Sequence, residues 1–175
     1  QTINFSFGSC VVAEGTGILL NDEMDDFSIH PGKPNAYGLV GSQANAIAAK
    51  KTMLSSMSPS FVFDQQHQLI LILGSPGGSR IITTTLQVIL NQLEFEMPLQ
   101  QAIASKRFHH QWVPNKLYLE HNGFSDRILS ELEQKGHQLT TTKQPMGDVQ
   151  AIQRTEQGRW IGISDWRDIG LPLGG

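Results

Sequence analysis

The sequence predicts an α+β fold. Apolar alternation marks short strands at both ends of the chain, an amphipathic helical period occupies its middle, and Gly-, Pro- or Ser-rich breaks separate the segments. With 175 residues the chain is long enough for one compact domain, expected here over 1–175. Hydrophobic residues make up 39% and charged residues 17%, a balance that excludes a disordered or coiled-coil chain. The net charge of −3 argues against a dedicated nucleic-acid binder, which would carry a basic stripe. A single cysteine, Cys10, excludes an internal disulfide and a Cys-rich zinc site. The longest apolar runs, such as 69–73, are too short to span a membrane.

Taken in order, residues 3–13 and 17–20 alternate loosely and read as strands, interrupted by Gly8, Gly15 and Gly17. The opening Gln1 to Phe7 already looks like strand, without a Met or a targeting segment, so the chain reads as a piece of a longer one. An acidic turn follows at 21–27. Residues 28–52, rich in Pro, Gly, Asn and Ala, lack any period and read as a long loop, a feature that is usually functional. Strands are expected at 60–64 and 69–73, joined by a polar turn at 64–68. Beyond the break at Gly74–Ser79, Ile82, Leu86, Ile89 and Leu93 fall on one face of an amphipathic helix. Pro98 opens a second helix reaching about Lys106. Ser125 caps a third, with Ile128, Leu129 and Leu132 inward and Gly136 as its stop. Strands at 148–154 and 159–164, turned at Gln157-Gly158, close the chain.

Several clusters have the residue types for chemistry. The turn Gly74-Ser75-Pro76-Gly77-Gly78-Ser79 lies between an apolar strand and a helix, where backbone N–H groups and the helix dipole favour an anion or an oxyanion. Such a turn also serves as a plain connection. It matches neither a Walker loop nor a G-x-S-x-G elbow, and a Ser hydrolase pairing Ser75 or Ser79 with His109 or His110 therefore has the wrong spacing. Ser55, Ser56 and Ser58 can hold a carboxylate or simply form a turn. Glu23, Asp25 and Asp26 can grip a cation or an ammonium group, or form a solvated acidic turn. The adjacent His109 and His110 cannot both face one metal from a regular element, and no metal motif is present in the sequence.

In sequence order, the runs Gly17-Ile18-Leu19-Leu20-Asn21-Asp22-Glu23-Met24-Asp25-Asp26-Phe27, Leu54-Ser55-Ser56-Met57-Ser58-Pro59, Gly74-Ser75-Pro76-Gly77-Gly78-Ser79-Arg80 and Arg107-Phe108-His109-His110-Gln111 resemble the small, C-terminal subunit of gamma-glutamyltranspeptidases. Gln150-Ala151-Ile152 and Ser164-Asp165-x-Arg167 extend the likeness over nearly the whole chain. The resemblance implies the C-terminal part of an N-terminal-nucleophile hydrolase, a four-layer αββα sandwich. It implies a zymogen that cleaves itself and γ-glutamyl transfer or hydrolysis on glutathione-like compounds through a Thr acyl-enzyme. Thr2 falls where the family has a Thr supporting the nucleophile. Asn4, Glu23 and Asp26 fall where the substrate α-amine is held, Ser55 and Ser56 where its α-carboxylate is held, and Gly77 and Gly78 at the oxyanion hole.

The nucleophilic Thr itself would precede Gln1, so the 175-residue chain alone is expected to be inactive. The resemblance further implies a large-subunit partner from the same precursor, no cofactor and no metal, and a periplasmic or secreted location. Cys10 and Trp166 depart from the family pattern away from the assigned positions. A non-catalytic homolog that binds γ-glutamyl compounds or amino acids is the alternative.

Overall fold

Turns rather than strands shape the front of the chain. In the computed structural model, which describes residues 2–173, the chain divides into two compact units, Gln1–Met57 and Ser58–Gly175. The strand expected at 3–13 shrinks to β1 (Val12–Ala13), paired antiparallel with β2 (Ile18–Leu19). Positive φ at Asn4, Phe5, Gly8 and Cys10 curls the preceding segment into turns, and the Gly8 N–H donates to the Asn4 carbonyl at 3.0 Å. Alternation of apolar residues therefore misled there, because extended pairing requires negative φ throughout. The acidic run forms a single 3-10 turn, Glu23–Asp26. The long loop is irregular as expected, apart from one Pro34–Val40 bridge and a second 3-10 turn, Gln43–Asn45, capped by the Ser42 hydroxyl.

The second unit holds β3 (Ser60–Phe63), β4 (Leu69–Gly74), α1 (Arg80–Leu93), α2 (Leu99–Ala104), β5 (Phe108–His109), β6 (Leu117–Glu120), α3 (Asp126–Gln134), β7 (Leu139–Thr142), β8 (Gln150–Arg154) and β9 (Trp160–Ser164). An antiparallel sheet in the order β3-β4-β8-β9 pairs Leu71 with Gln153 and Leu73 with Ala151. One face of this sheet packs on α1 and α2 around Leu71, Leu73, Val88, Leu99, Ala102, Ile103, Val149 and Ala151. A second sheet, β5-β6-β7, pairs β6 and β7 in parallel across the α3 crossover. Its short strands were not legible from pattern, because two to four residues carry almost no alternation.

Helix α1 buries a different face from its apolar stripe, and α3 departs from expectation only at Ile128. In α1 the buried residues are Ile81, Thr84, Thr85 and Val88, the same period displaced by one residue, while Ile82 and Leu86 stay 55% and 51% exposed. The two buried threonines make the difference, because an apolar count overlooks them. In α3 Ser125 caps as expected, its hydroxyl accepting from the Ile128 N–H, and Gly136 takes φ +89° beyond the end. Leu129 and Leu132 are half-buried, and Ile128 is exposed.

Leu71→Ala empties a fully buried site and should cost about 2–5 kcal/mol, whereas Ile82→Ala on the exposed stripe of α1 should cost under about 1 kcal/mol. Urea midpoints of the two variants check the assignment of the buried face.

Candidate active site

The first unit gathers the acidic residues with Asn4. Asn4 sits at φ +60°, a left-handed conformation that Asn tolerates better than most residues. There its side-chain amide donates to Asp26 Oδ1 at 3.1 Å and to the Asp22 carbonyl at 3.3 Å. Its Oδ1 accepts the Phe5 N–H, and the Thr2 hydroxyl accepts the Asn4 N–H at 2.9 Å. Glu23 and Asp26, three residues apart in one 3-10 turn, share a hydrogen bond. The Glu23 carboxyl is pushed above its ordinary range by burial, then by that bond and by the charges of Asp26 and Asp22. Asp26 is also raised, chiefly by burial and against the bonds from Glu23 and Asn4. Buried Glu23 Oε1 has no partner. Desolvated carboxyls with an unfilled acceptor are poised for a donor-rich cation.

The serine segment belongs to the same unit. The Ser55 hydroxyl accepts the Met57 N–H at 3.3 Å. A side chain that the sequence did not single out links this segment to the acidic turn. Asn45 Nδ2 donates to the Asp26 carbonyl at 2.8 Å, and Asn45 Oδ1 accepts the Leu54 N–H at 3.0 Å. No local signal marks Asn45, since its partners lie 19 and 9 residues away.

The glycine turn lies in the second unit. Gly77 and Gly78 adopt φ +138° and +57°; the first requires glycine, and the second lies in the left-handed region that glycine enters without strain. Their carbonyls accept the N–H groups of Arg80 and Ile81, so the first helical donors of α1 are already engaged. Behind the turn, the Ser75 hydroxyl donates to the Pro76 carbonyl at 2.7 Å and accepts the Asp148 N–H at 3.0 Å. Neither Ser75 nor Ser79 is bonded to a histidine: Ser79 donates to Gln111 Oε1, which also accepts from His109 Nε2. That donation leaves His109 Nδ1 facing Thr83 at 2.8 Å. Burial first, then the Arg80 and His110 charges, hold its pKa below the ordinary histidine value despite the Gln111 bond. His109 is a satisfied, neutral core histidine, and the Ser hydrolase reading falls.

A buried ionic network braces the segment behind that turn. Arg107 Nη2 meets Asp165 Oδ2 at 2.5 Å, Asp165 Oδ1 meets Arg167 Nη1 at 2.9 Å, and Arg167 Nη2 meets Glu120 Oε2 at 2.6 Å. The same carboxylates accept the N–H groups of Arg107, Met146 and Val149, and Arg107 Nη1 donates to the Met146 carbonyl. Residues 146–149 are thereby fixed next to Ser75, where a Cβ on Gly147 would come within 2.5 Å of the Ser75 hydroxyl. The sequence showed Arg107, Asp165 and Arg167 only as motif letters. Their coupling spans 58 residues and leaves no local pattern.

The fold is that of the N-terminal-nucleophile hydrolases: solved structures of that class superpose on the helix-backed antiparallel sheet and the glycine turn that follows β4. A gamma-glutamyltranspeptidase structure from Helicobacter pylori aligns with a TM-score of 0.89 and 49% identity, covering 96% of this chain and 91% of that one. Glutathione hydrolase proenzymes of Escherichia coli (strain K12) and Pseudomonas aeruginosa are each 48% identical, over 168 and 174 residues. They cover 96% and 98% of this chain, which in turn spans 28% and 31% of their lengths. Residues 1–174 match the gamma-glutamyltranspeptidase family. The chain belongs to that family.

Asp165→Asn should cost about 3–5 kcal/mol, because it leaves two buried guanidiniums facing a single carboxylate. Acid should weaken the same network. Burial alone would raise the Glu120 carboxyl, but the bonds from Arg167, Met146 and Arg107 outweigh it and hold it below the usual range. Its contribution is fully present above the unfolded value of about 4.3 and is lost as pH falls through the lower folded value. Urea midpoints between neutral and acid pH check both outcomes.

Proposed function

We propose that residues 1–175 form the C-terminal, small-subunit portion of a self-cleaving precursor that transfers or hydrolyses γ-glutamyl groups of compounds such as glutathione. The observation that carries this reading is the carboxyl pair of Glu23 and Asp26, with the Asn4 amide donating to Asp26 and Glu23 Oε1 unfilled. It is assembled at an electrostatic cost that a substrate α-ammonium would relieve. Ser55 and Ser56 take the α-carboxylate, so the pocket selects a free amino-acid head rather than an internal peptide residue.

In the proposed reaction a Thr hydroxyl outside these residues attacks the γ-carbonyl carbon. The new C–O bond forms, the C–N bond breaks, and the hydroxyl proton passes through the Thr α-amine to the leaving amine. The Gly77 and Gly78 N–H groups stabilise the oxyanion, and Thr2 supports the nucleophile. Water or an amino acid then takes the γ-glutamyl group. Support for a partner from the same precursor comes from the relatives' names and lengths and from the exposed apolar stripe of α1. No helix among the described residues is long and apolar enough to cross a membrane. By family likeness we infer that the working protein is periplasmic or secreted.

The full processed protein should turn over a γ-glutamyl anilide, and the 175-residue chain alone should not. Binding by the full protein without turnover would favour a non-catalytic homolog and sink the enzymatic reading. Asp26→Asn should raise KM by about 10- to 100-fold, the equivalent of one charge-assisted hydrogen bond, with a smaller change in kcat.

KM should also depend on pH. Burial raises the folded carboxyls of Glu23 and Asp26 above their ordinary values, so folding shifts each toward its protonated form relative to the unfolded chain. Their ionisation disfavours the empty fold increasingly as pH rises through those raised values. An ammonium ligand needs them ionised, so KM should rise as pH falls toward the carboxylate range. A flat KM profile on the acid side would contradict the clamp.

A further inference from the structure

We propose that Asn45 is a positioning residue that sets the spacing between the two ends of the amino-acid pocket; this rests on the head-group recognition assigned above to Asn4, Glu23, Asp26, Ser55 and Ser56. A single planar amide joins two backbone segments. Nδ2 donates to the Asp26 carbonyl at 2.8 Å, on the residue that faces Asn4 and Glu23. Oδ1 accepts the N–H of Leu54 at 3.0 Å, on the residue immediately before Ser55. One partner only accepts and the other only donates, so a single orientation of the amide satisfies both.

The residue is itself held. Its own carbonyl accepts the Ser28 N–H at 2.9 Å, and its N–H donates to the Ser42 carbonyl at 3.1 Å. The Ser42 hydroxyl caps the front of the same 3-10 turn at Ala44 N. Lys51 Nζ closes its back, donating to the carbonyls of Ala44 at 2.6 Å and Ala46 at 2.9 Å. The acidic turn and the serine segment are about 30 residues apart in sequence and joined by an irregular loop, so apolar packing does little to fix their separation. Asn45 supplies that separation as a rigid spacer.

A spacer has a kinetic signature distinct from a general structural role. A substrate gripped at both ends senses the span between the grips, and a substrate gripped at one end does not. Three anilides separate the cases: γ-glutamyl anilide carries both charged groups, 4-aminobutyryl anilide keeps only the amine, and glutaryl anilide keeps only the carboxylate. The experiment uses the full processed protein and its Asn45→Ala and Asn45→Asp variants. Asn45→Asp retains the acceptor for Leu54 N–H and loses the donor to Asp26.

For Asn45→Ala, KM for γ-glutamyl anilide should rise about tenfold, while KM for either one-ended analogue and all kcat values change less than about twofold. Asn45→Asp should move KM in the same direction. Equal KM increases for all three substrates, or a fall confined to kcat, would overturn the proposal. So would failure of both variants to mature, which would assign Asn45 to folding. An unmodified protein that leaves γ-glutamyl anilide intact overturns the functional reading itself, and this inference with it.

Discussion

The buried alternation of Arg107, Asp165, Arg167 and Glu120 is the constraint on which the second unit depends. Two guanidiniums and two carboxylates balance in charge, and all four are almost completely withdrawn from water. Removing charges from water is expensive, so such a cluster contributes less to net stability than its short distances suggest. What it supplies is uniqueness of arrangement. Each carboxylate also takes backbone N–H groups, and Arg107 and Arg167 both donate to the Ile103 carbonyl. The end of α2, the start of β5, the end of β6, the entry to β8 and the tail beyond β9 therefore have one mutual placement in which every charge is met. The glycine turn inherits that placement through the bond between Asp148 and Ser75.

The first unit is built on another principle. Among its described residues only Gly8 and Phe27 are fully buried, so it has almost no apolar core. Its shape comes from left-handed backbone positions and from side chains that bond to backbone groups: Asn4, Asn35, Ser42, Asn45 and Lys51. Such a unit has few contacts to resist local opening, and its fixed points are individual polar bonds. That suits the head-group recognition proposed above. Charged ends of a small molecule require donors and acceptors at set positions, which loops provide and a packed sheet does not.

The same contrast explains what could be read from sequence. Where packing dominates, pattern served well: β3, β4, β8 and β9 and all three helices lie close to the expected spans, because alternation and helical period record burial directly. Where single backbone angles dominate, it failed. Residues 3–13 alternate like a strand, yet Asn4, Phe5, Gly8 and Cys10 turn the chain. Candidate residues were nameable by chemical type, but the grouping of Asn4 with Asp26 spans 22 residues. Asn45 and Glu120 carried no signal at all, since a side chain that works by joining distant segments is recognisable only once those segments meet.

Helix α1 shows a subtler limit of reading by period. Two faces of this helix are apolar enough to be buried. The face that is buried uses Ile81, Thr84, Thr85 and Val88, while Ile82, Leu86, Leu90 and Leu93 remain at the surface. Of the stripe that the period marks, Ile89 packs against the core, while Ile82, Leu86 and Leu93 lie at the surface. The outer face of the sheet repeats the theme at Phe61 and Ile152, brought together through Ile72. Apolar surface concentrated on a helix stripe and a sheet face, rather than scattered, is costly to leave in water. These two faces, the α1 stripe and the outer side of the sheet, are where the partner subunit proposed above would be expected to pack.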